Sequence, residues 1–165
     1  MSSAPEIVTR AEQPYVAIRT QVTMEDLGTV VPPLNQEVFA WLGEHGAAPA
    51  DAPFWKYNVI DMAGKLEIEA GVSVAAAVAG DGRVVSGMLP AGRYATLTHV
   101  GHPSELMAAT GALLDWAAAQ GLTWDMSPSV NGERWGCRLE IYLTDPRQEP
   151  DMSKWVTQLA FKLAD

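Results

Sequence analysis

One cysteine in 165 residues rules out an internal disulfide. No apolar run approaches the roughly 20 residues that cross a bilayer, and residues 1–13 are polar, without the apolar centre of a signal peptide. These absences predict a cytoplasmic protein that does not insert into a membrane. Positive charge is also scarce: eleven Lys and Arg stand against twenty Asp and Glu, a net charge of −9. A field of that sign repels phosphate backbones, so direct nucleic-acid binding is not expected. The three histidines give no metal site, because His99 and His102 have no third ligand at a recognisable spacing and His45 suits the C-terminus of a helix. The phosphate-cradling loop, the dinucleotide fingerprint and the Gly-x-Ser-x-Gly elbow are all missing. No cofactor is expected.

What is present is an ordinary globular composition, 48% hydrophobic, at a length suited to one domain. Tyr15-Val16-Ala17-Ile18 recurs as Tyr94-Ala95-Thr96-Leu97, and Val38-Phe39-Ala40-Trp41-Leu42 before Gly46 recurs as Leu113-Leu114-Asp115-Trp116-Ala117 before Gly121. Lys65-Leu66-Glu67-Ile68-Glu69 likewise matches Arg138-Leu139-Glu140-Ile141-Tyr142, which suggests equivalent strands in a duplicated unit. Pro32-Pro33 and Pro103 open the two helices, apolar residues at helical spacing form their stripes, and a glycine ends each. Alternating or β-branched runs predict strands over 14–22, 54–60, 65–74, 83–89, 93–100, 124–130, 133–144 and 154–163. Gly80-Asp81-Gly82 is expected to turn a hairpin into 83–89, and Asn131-Gly132 another.

The expected fold is thus α+β. Two strand-helix-strand-strand units, about 14–89 and 90–165, follow a flexible N-terminus of residues 1–13. They share a largely antiparallel sheet of about eight strands, with both helices on one face and a groove between the halves.

Glu140 is the sharpest candidate residue. It alternates with Leu139 and Ile141 in a strand read as internal, where an ionised carboxylate needs hydrogen bonds, a counter-ion or a ligand. A surface ion pair with Arg138, two residues away on the same strand face, is the alternative. Glu67 and Glu69 read as scaffold. Six tryptophans are spread over most elements. Trp41 falls on a helical core stripe, Trp116 lies at the margin of the other stripe, and Tyr57 shares a strand face with Trp55, as Trp155 does with Phe161. Aromatic faces meeting one carboxylate would suit flat, lipophilic cations. Cys137 reads as a buried small hydrophobe.

The series Glu67-x-Glu69-x-Gly71-Val72, Leu89-Pro90-Ala91-Gly92-x-Tyr94, His99-x-Gly101, Trp116, Leu139-Glu140-Ile141-Tyr142 and Asp145-Pro146 resembles the GyrI-like small-molecule-binding domain family. The likeness runs from about Pro14 to Leu163. That family includes effector-binding domains of MerR- and AraC-type multidrug-responsive regulators. The resemblance implies a stand-alone binder of bulky, amphipathic aromatic and often cationic compounds, with Glu140 as the acid of the groove. Trp41, Tyr57, Trp116, Trp135 and Trp155 are the candidate lining. It also implies an alternative, a hydrolase that opens cyclopropane-bearing electrophiles, with Glu140 activating water and Tyr57 polarising the substrate oxygen. A third class, protein interaction as in gyrase-inhibiting relatives, has no specific support in these residues.

Overall fold

A computed structural model describes residues 2–164. In chain order it contains β1 (Glu6–Arg10), β2 (Gln13–Val22), the single-turn α1 (Leu27–Val30), α2 (Pro32–Glu44), β3 (Pro49–Ile60), β4 (Leu66–Val74), β5 (Val84–Leu89) and β6 (Gly92–Val100). There follow α3 (Leu106–Ala119), β7 (Met126–Ser129), β8 (Gly132–Trp135), β9 (Arg138–Tyr142) and β10 (Val156–Lys162). The architecture is α+β. The strands form one sheet in the order β1-β6-β10-β9-β3-β4-β2-β5, with the β7–β8 hairpin attached to β3. Every pairing is antiparallel. No helix is long and apolar enough to cross a membrane among the described residues.

The two long helices cover one face. Leu34, Val38, Trp41 and Leu42 of α2, with Ala109 and Leu113 of α3, join Ile68, Ala70, Leu97, Leu159 and Phe161 of the sheet in the larger core cluster. Their ends are built alike. Gly46 at φ 63° lets the Ala47 N–H reach Leu42 O at 3.0 Å, and Gly121 at φ 71° lets the Leu122 N–H reach Ala117 O at 3.0 Å. The other face carries a smaller cluster around Tyr15, Phe54, Tyr94, Leu139 and Ile141. There a Cβ on Gly71 would stand 2.6 Å from Phe54 Cζ. Gly71→Ala is expected to lower stability by about 1–3 kcal/mol by displacing that ring, read as a lower urea midpoint at unchanged slope.

Four sequence expectations change. Residues 6–10 fall in the segment expected to be flexible, yet they pair along the free edge of β6 from Glu6↔Thr96 to Arg10↔Gly92. Strand 84–89 does not form a hairpin with β4. Both edges of β4 are taken by β2 and β3, so β5 joins the free edge of β2 instead. The strand read over 133–144 breaks at Gly136 and Cys137, where the Gly136 N–H bonds Asp125 O and Cys137 O accepts from the Lys162 N–H, passing the chain from β7 to β10. Residues 152–154 form a 3-10 turn and Trp155 caps it, so the last strand starts at Val156 and Trp155 lies outside it.

The duplication is real in topology but its register differs from the local sequence match. Tyr15 faces Ser73 across β2–β4 and Tyr94 faces Lys162 across β6–β10, so laying Tyr15 on Tyr94 lays β4 on β10. Gly71 then corresponds to Ala160, and their partners Phe54 and Leu139 lay β3 on β9. The Leu-Glu-Ile segments of β4 and β9 are therefore not equivalent. Trp55 takes the place of Glu140, and Tyr57 that of Tyr142. Trp55 and Glu140 also face each other directly across β3–β9, so the pseudo-twofold axis passes between them.

Candidate functional site

The two halves meet where β3 pairs with β9. Along β9, Leu139 and Ile141 pack in the smaller cluster, which leaves Arg138, Glu140 and Tyr142 on the helix-covered face. Along β3 the same alternation presents Trp55 and Tyr57. Tyr57 Oη donates to Glu140 Oε1 at 3.0 Å and Tyr142 Oη donates to the same oxygen at 2.6 Å. Two tyrosines related by the pseudo-dyad thus meet on one carboxylate that lacks a symmetry mate. Trp55 packs edge-on to Tyr142, with ring centroids 5.1 Å apart, and its indole N–H donates to Asn35 Oδ1 at 2.7 Å. Asn35, on α2, also donates to Phe54 O and Gly71 O, so the helix is tied to the sheet at Phe54, Trp55 and Gly71.

Burial pushes the Glu140 carboxyl above its ordinary range, and the Tyr142 and Tyr57 hydrogen bonds with the Arg138 charge offset that only in part. Burial and the adjacent carboxylate hold both phenols well above their ordinary value, so they remain protonated donors. Glu140 Oε2 accepts no hydrogen bond among the described residues and is not sealed from solvent. The site is a half-buried carboxylate with one oxygen held by two phenols and the other without a hydrogen bond among the described residues.

The expected surface ion pair between Arg138 and Glu140 is not formed. The Arg138 guanidinium instead lies 4.6 Å from the centroid of Trp135 and 4.4 Å from that of Phe161. Trp135 itself is buried against Trp124 and Phe161, and its indole N–H has no partner among the described residues. Its contact on the strand face of Glu140 is with Arg138. Two other expected lining residues have their indole N–H groups bonded to connections outside β3 and β9. Trp41 is buried in the core, donates to Asp81 Oδ1 at 2.7 Å and stacks on His45 at 3.9 Å. Trp155 donates to Glu149 O at 2.7 Å. Trp116 is half-buried on α3 and packs against the larger core cluster.

A family profile described as GyrI-like small molecule binding domain matches residues 3–164. The chain belongs to this family. The C-terminal domain of EcmrR has the same fold, with TM-score 0.75 and 18% identity over 98% of this chain and 98% of that one. The chain spans 57% of the EcmrR chain solved in a DNA complex. A hydrolase from Listeria innocua matches with TM-score 0.64 and 17% identity over 97% of this chain and 91% of its own. SAV2435, solved bound to tetraphenylphosphonium, matches with TM-score 0.61 and 11% identity over 98% and 94%. At these identities the likeness is one of fold. No curated protein sequence matches the chain.

In this GyrI-like chain the sequence reading left Tyr142, Trp55 and Arg138 out of the candidate set. Strand parity held the signal for all three, since Arg138 and Tyr142 lie two residues either side of Glu140 and Trp55 two before Tyr57. The opposite face holds a second buried carboxylate. Glu69 is 2% exposed and accepts from Tyr15 Oη at 2.7 Å and Asn58 Nδ2 at 2.6 Å, with Lys56 Nζ at 3.6 Å and Arg19 at 3.7 Å. An open cavity of about 590 Å³ lies beside it, lined among others by Arg19, Lys56 and Glu67. Its acid is fully partnered by the protein, whereas Glu140 keeps one oxygen free.

Proposed function

We propose that this chain binds bulky, flat aromatic small molecules in the groove over Trp55, Tyr57, Glu140 and Tyr142. The observation that carries the reading is Glu140, a carboxylate on the junction of the two halves that accepts from two phenols through Oε1 and has no hydrogen bond at Oε2 among the described residues. An open, poorly solvated carboxylate beside aromatic faces attracts a cationic or hydrogen-bond-donating group on an aromatic body. The tetraphenylphosphonium complex of the fold neighbour SAV2435 supports that chemistry. The net charge of −9 favours small cationic partners over nucleic acid and fits action as a cytoplasmic binding protein.

A second reading rests on the same two phenols. Glu140 Oε2 would take a proton from water as its oxygen attacks a cyclopropane carbon. The breaking C–C bond would deliver its electrons to a conjugated carbonyl whose oxygen takes the Tyr57 O–H over from Glu140 while Tyr142 stays on the carboxylate, and the proton held by Glu140 would then pass to that oxygen, so that the product is the substrate plus one water. The fold neighbour solved as a hydrolase from Listeria innocua supports keeping this reading.

Titrating the protein with tetraphenylphosphonium and with a flat aromatic dye, followed by tryptophan emission, tests the first reading. Saturable quenching with one ligand per chain is expected. A folded protein that shows no saturable response to either probe would end it. Incubation with a cyclopropane-bearing electrophile tests the second, with a product heavier by one water expected from the wild type and lost in Tyr57→Phe.

A further inference from the structure

We infer that the groove contains a second, acceptor-binding subsite at Arg138, so that its preferred ligands carry a carboxylate or polarised carbonyl oxygen beside the aromatic body and are not bare cations. The inference rests on the groove over Glu140 being the binding site, as proposed above, and concerns which chemistry that groove selects.

Three observations lead there. Arg138 shares the strand face of Glu140 two residues away, which places their side-chain origins about 7 Å apart along the floor. The guanidinium lies against the rings of Trp135 and Phe161, an arrangement that fixes its plane and leaves its N–H fork unused, because cation–π contact consumes none of the donors. Finally, Arg138 has no ion pair or side-chain hydrogen bond among the described residues, and none of its nitrogens is sealed from solvent. A half-buried, immobilised guanidinium with an open fork is matched to a planar, two-oxygen acceptor.

Charge balance points the same way. With Glu140 ionised, the carboxylate and the guanidinium cancel over the length of a small ligand, and a monocation gains little net attraction. With Glu140 protonated the local charge is +1 and favours an acceptor outright. A ligand that spans both groups, presenting a cationic or donor group to Glu140 and an oxygen to Arg138, uses the arrangement in full. A purely structural arginine, present to cover Trp135 and Phe161, would confer no such preference.

The test uses a rhodamine with a free carboxylate and its methyl ester, two dyes with one aromatic body, titrated against the whole chain by fluorescence polarisation. The wild type is expected to bind the free acid at least as tightly as the ester. Arg138→Gln and the bulkier apolar Arg138→Met are each expected to shift the acid-to-ester affinity ratio about tenfold toward the ester, the scale of one charge-assisted contact. Preference for the ester in the wild type, or a ratio that neither folded variant moves, would overturn the subsite and leave the groove standing. If neither dye binds, the groove reading fails and the subsite with it. The wild-type comparison needs no variant, so a misfolded substitution does not remove the test.

Discussion

Replacing Glu69 by alanine is expected to lower the unfolding free energy by about 3–5 kcal/mol in urea titrations at pH 7, the scale seen when one member of a buried ion pair is removed. Glu69 is 2% exposed and sits between Tyr15, Asn58, Lys56 and Arg19. Its loss leaves the Lys56 ammonium, whose side chain is 11% exposed, with Asn58 Oδ1 at 2.5 Å as its remaining partner among the described residues. Two further donors, from Tyr15 and Asn58, lose their acceptor as well. A domain with some 5–15 kcal/mol of stability gives up a large share of it. Adding Lys56→Met should recover part of the loss, because an apolar residue carries no stranded charge. If Glu69→Ala unfolds within about 1 kcal/mol of wild type, the network does not support the fold.

The pH dependence of that difference has a defined sign. Burial pushes the Glu69 carboxyl up, but hydrogen bonds from Asn58 and Tyr15 and the charges of Lys56 and Arg19 outweigh it and leave the group below its ordinary value of 4.5. The folded state therefore holds fewer protons than the unfolded state around that pH. The stabilisation from Glu69 is complete above about 4.5 and fades as pH falls through the lowered folded value. Wild type and Glu69→Gln should converge in stability on acidification.

Why one carboxylate was legible in the sequence and the other was not follows from where their partners lie. The helices could be read because their signals are local: Pro32 and Pro103 at the starts, Gly46 and Gly121 at the ends, apolar residues at helical spacing between. Strand existence was equally local, and Glu140 drew notice because it alternates with Leu139 and Ile141. Strand equivalence was not local. Leu66-Glu67-Ile68 and Leu139-Glu140-Ile141 look alike because any half-buried strand alternates, while the dyad is set by which edges remain free for pairing, a property of the whole sheet. The same limit hid the partners of Trp41 and Trp155. Their indole N–H groups are taken by Asp81 and by the Glu149 carbonyl, both in connections whose paths leave no periodic trace. Glu69 looked like scaffold and is the more completely partnered acid, yet nothing in Glu67-Ile68-Glu69 distinguishes the residue facing Tyr15 and Asn58 from its neighbour at the same parity.

Glu140→Gln is expected to behave in the opposite way: little change in stability and a large change in binding. The amide keeps an oxygen to accept from Tyr57 and Tyr142, so the floor of the groove keeps its geometry, and stability at pH 7 should stay within about 1 kcal/mol of wild type. Burial raises the carboxyl of Glu140, so the folded state holds more protons than the unfolded one just above the ordinary 4.5. Stability contributed by the protonated form is complete below that value and is lost as pH rises through the raised folded value, a loss the glutamine variant does not suffer. For binding, the substitution removes the open Oε2 charge and leaves Arg138 as the one nearby formal charge on that face of β9. An aromatic cation such as tetraphenylphosphonium then faces a net repulsion, and its affinity should fall at least tenfold, about 1.4 kcal/mol. A dye bearing a carboxylate should lose far less, since its contact with Arg138 persists. Equal losses for the two probes would mean that Glu140 acts by shaping the groove. Unequal losses in the stated direction would mean that it acts by charge, with the two tyrosines positioning the carboxylate.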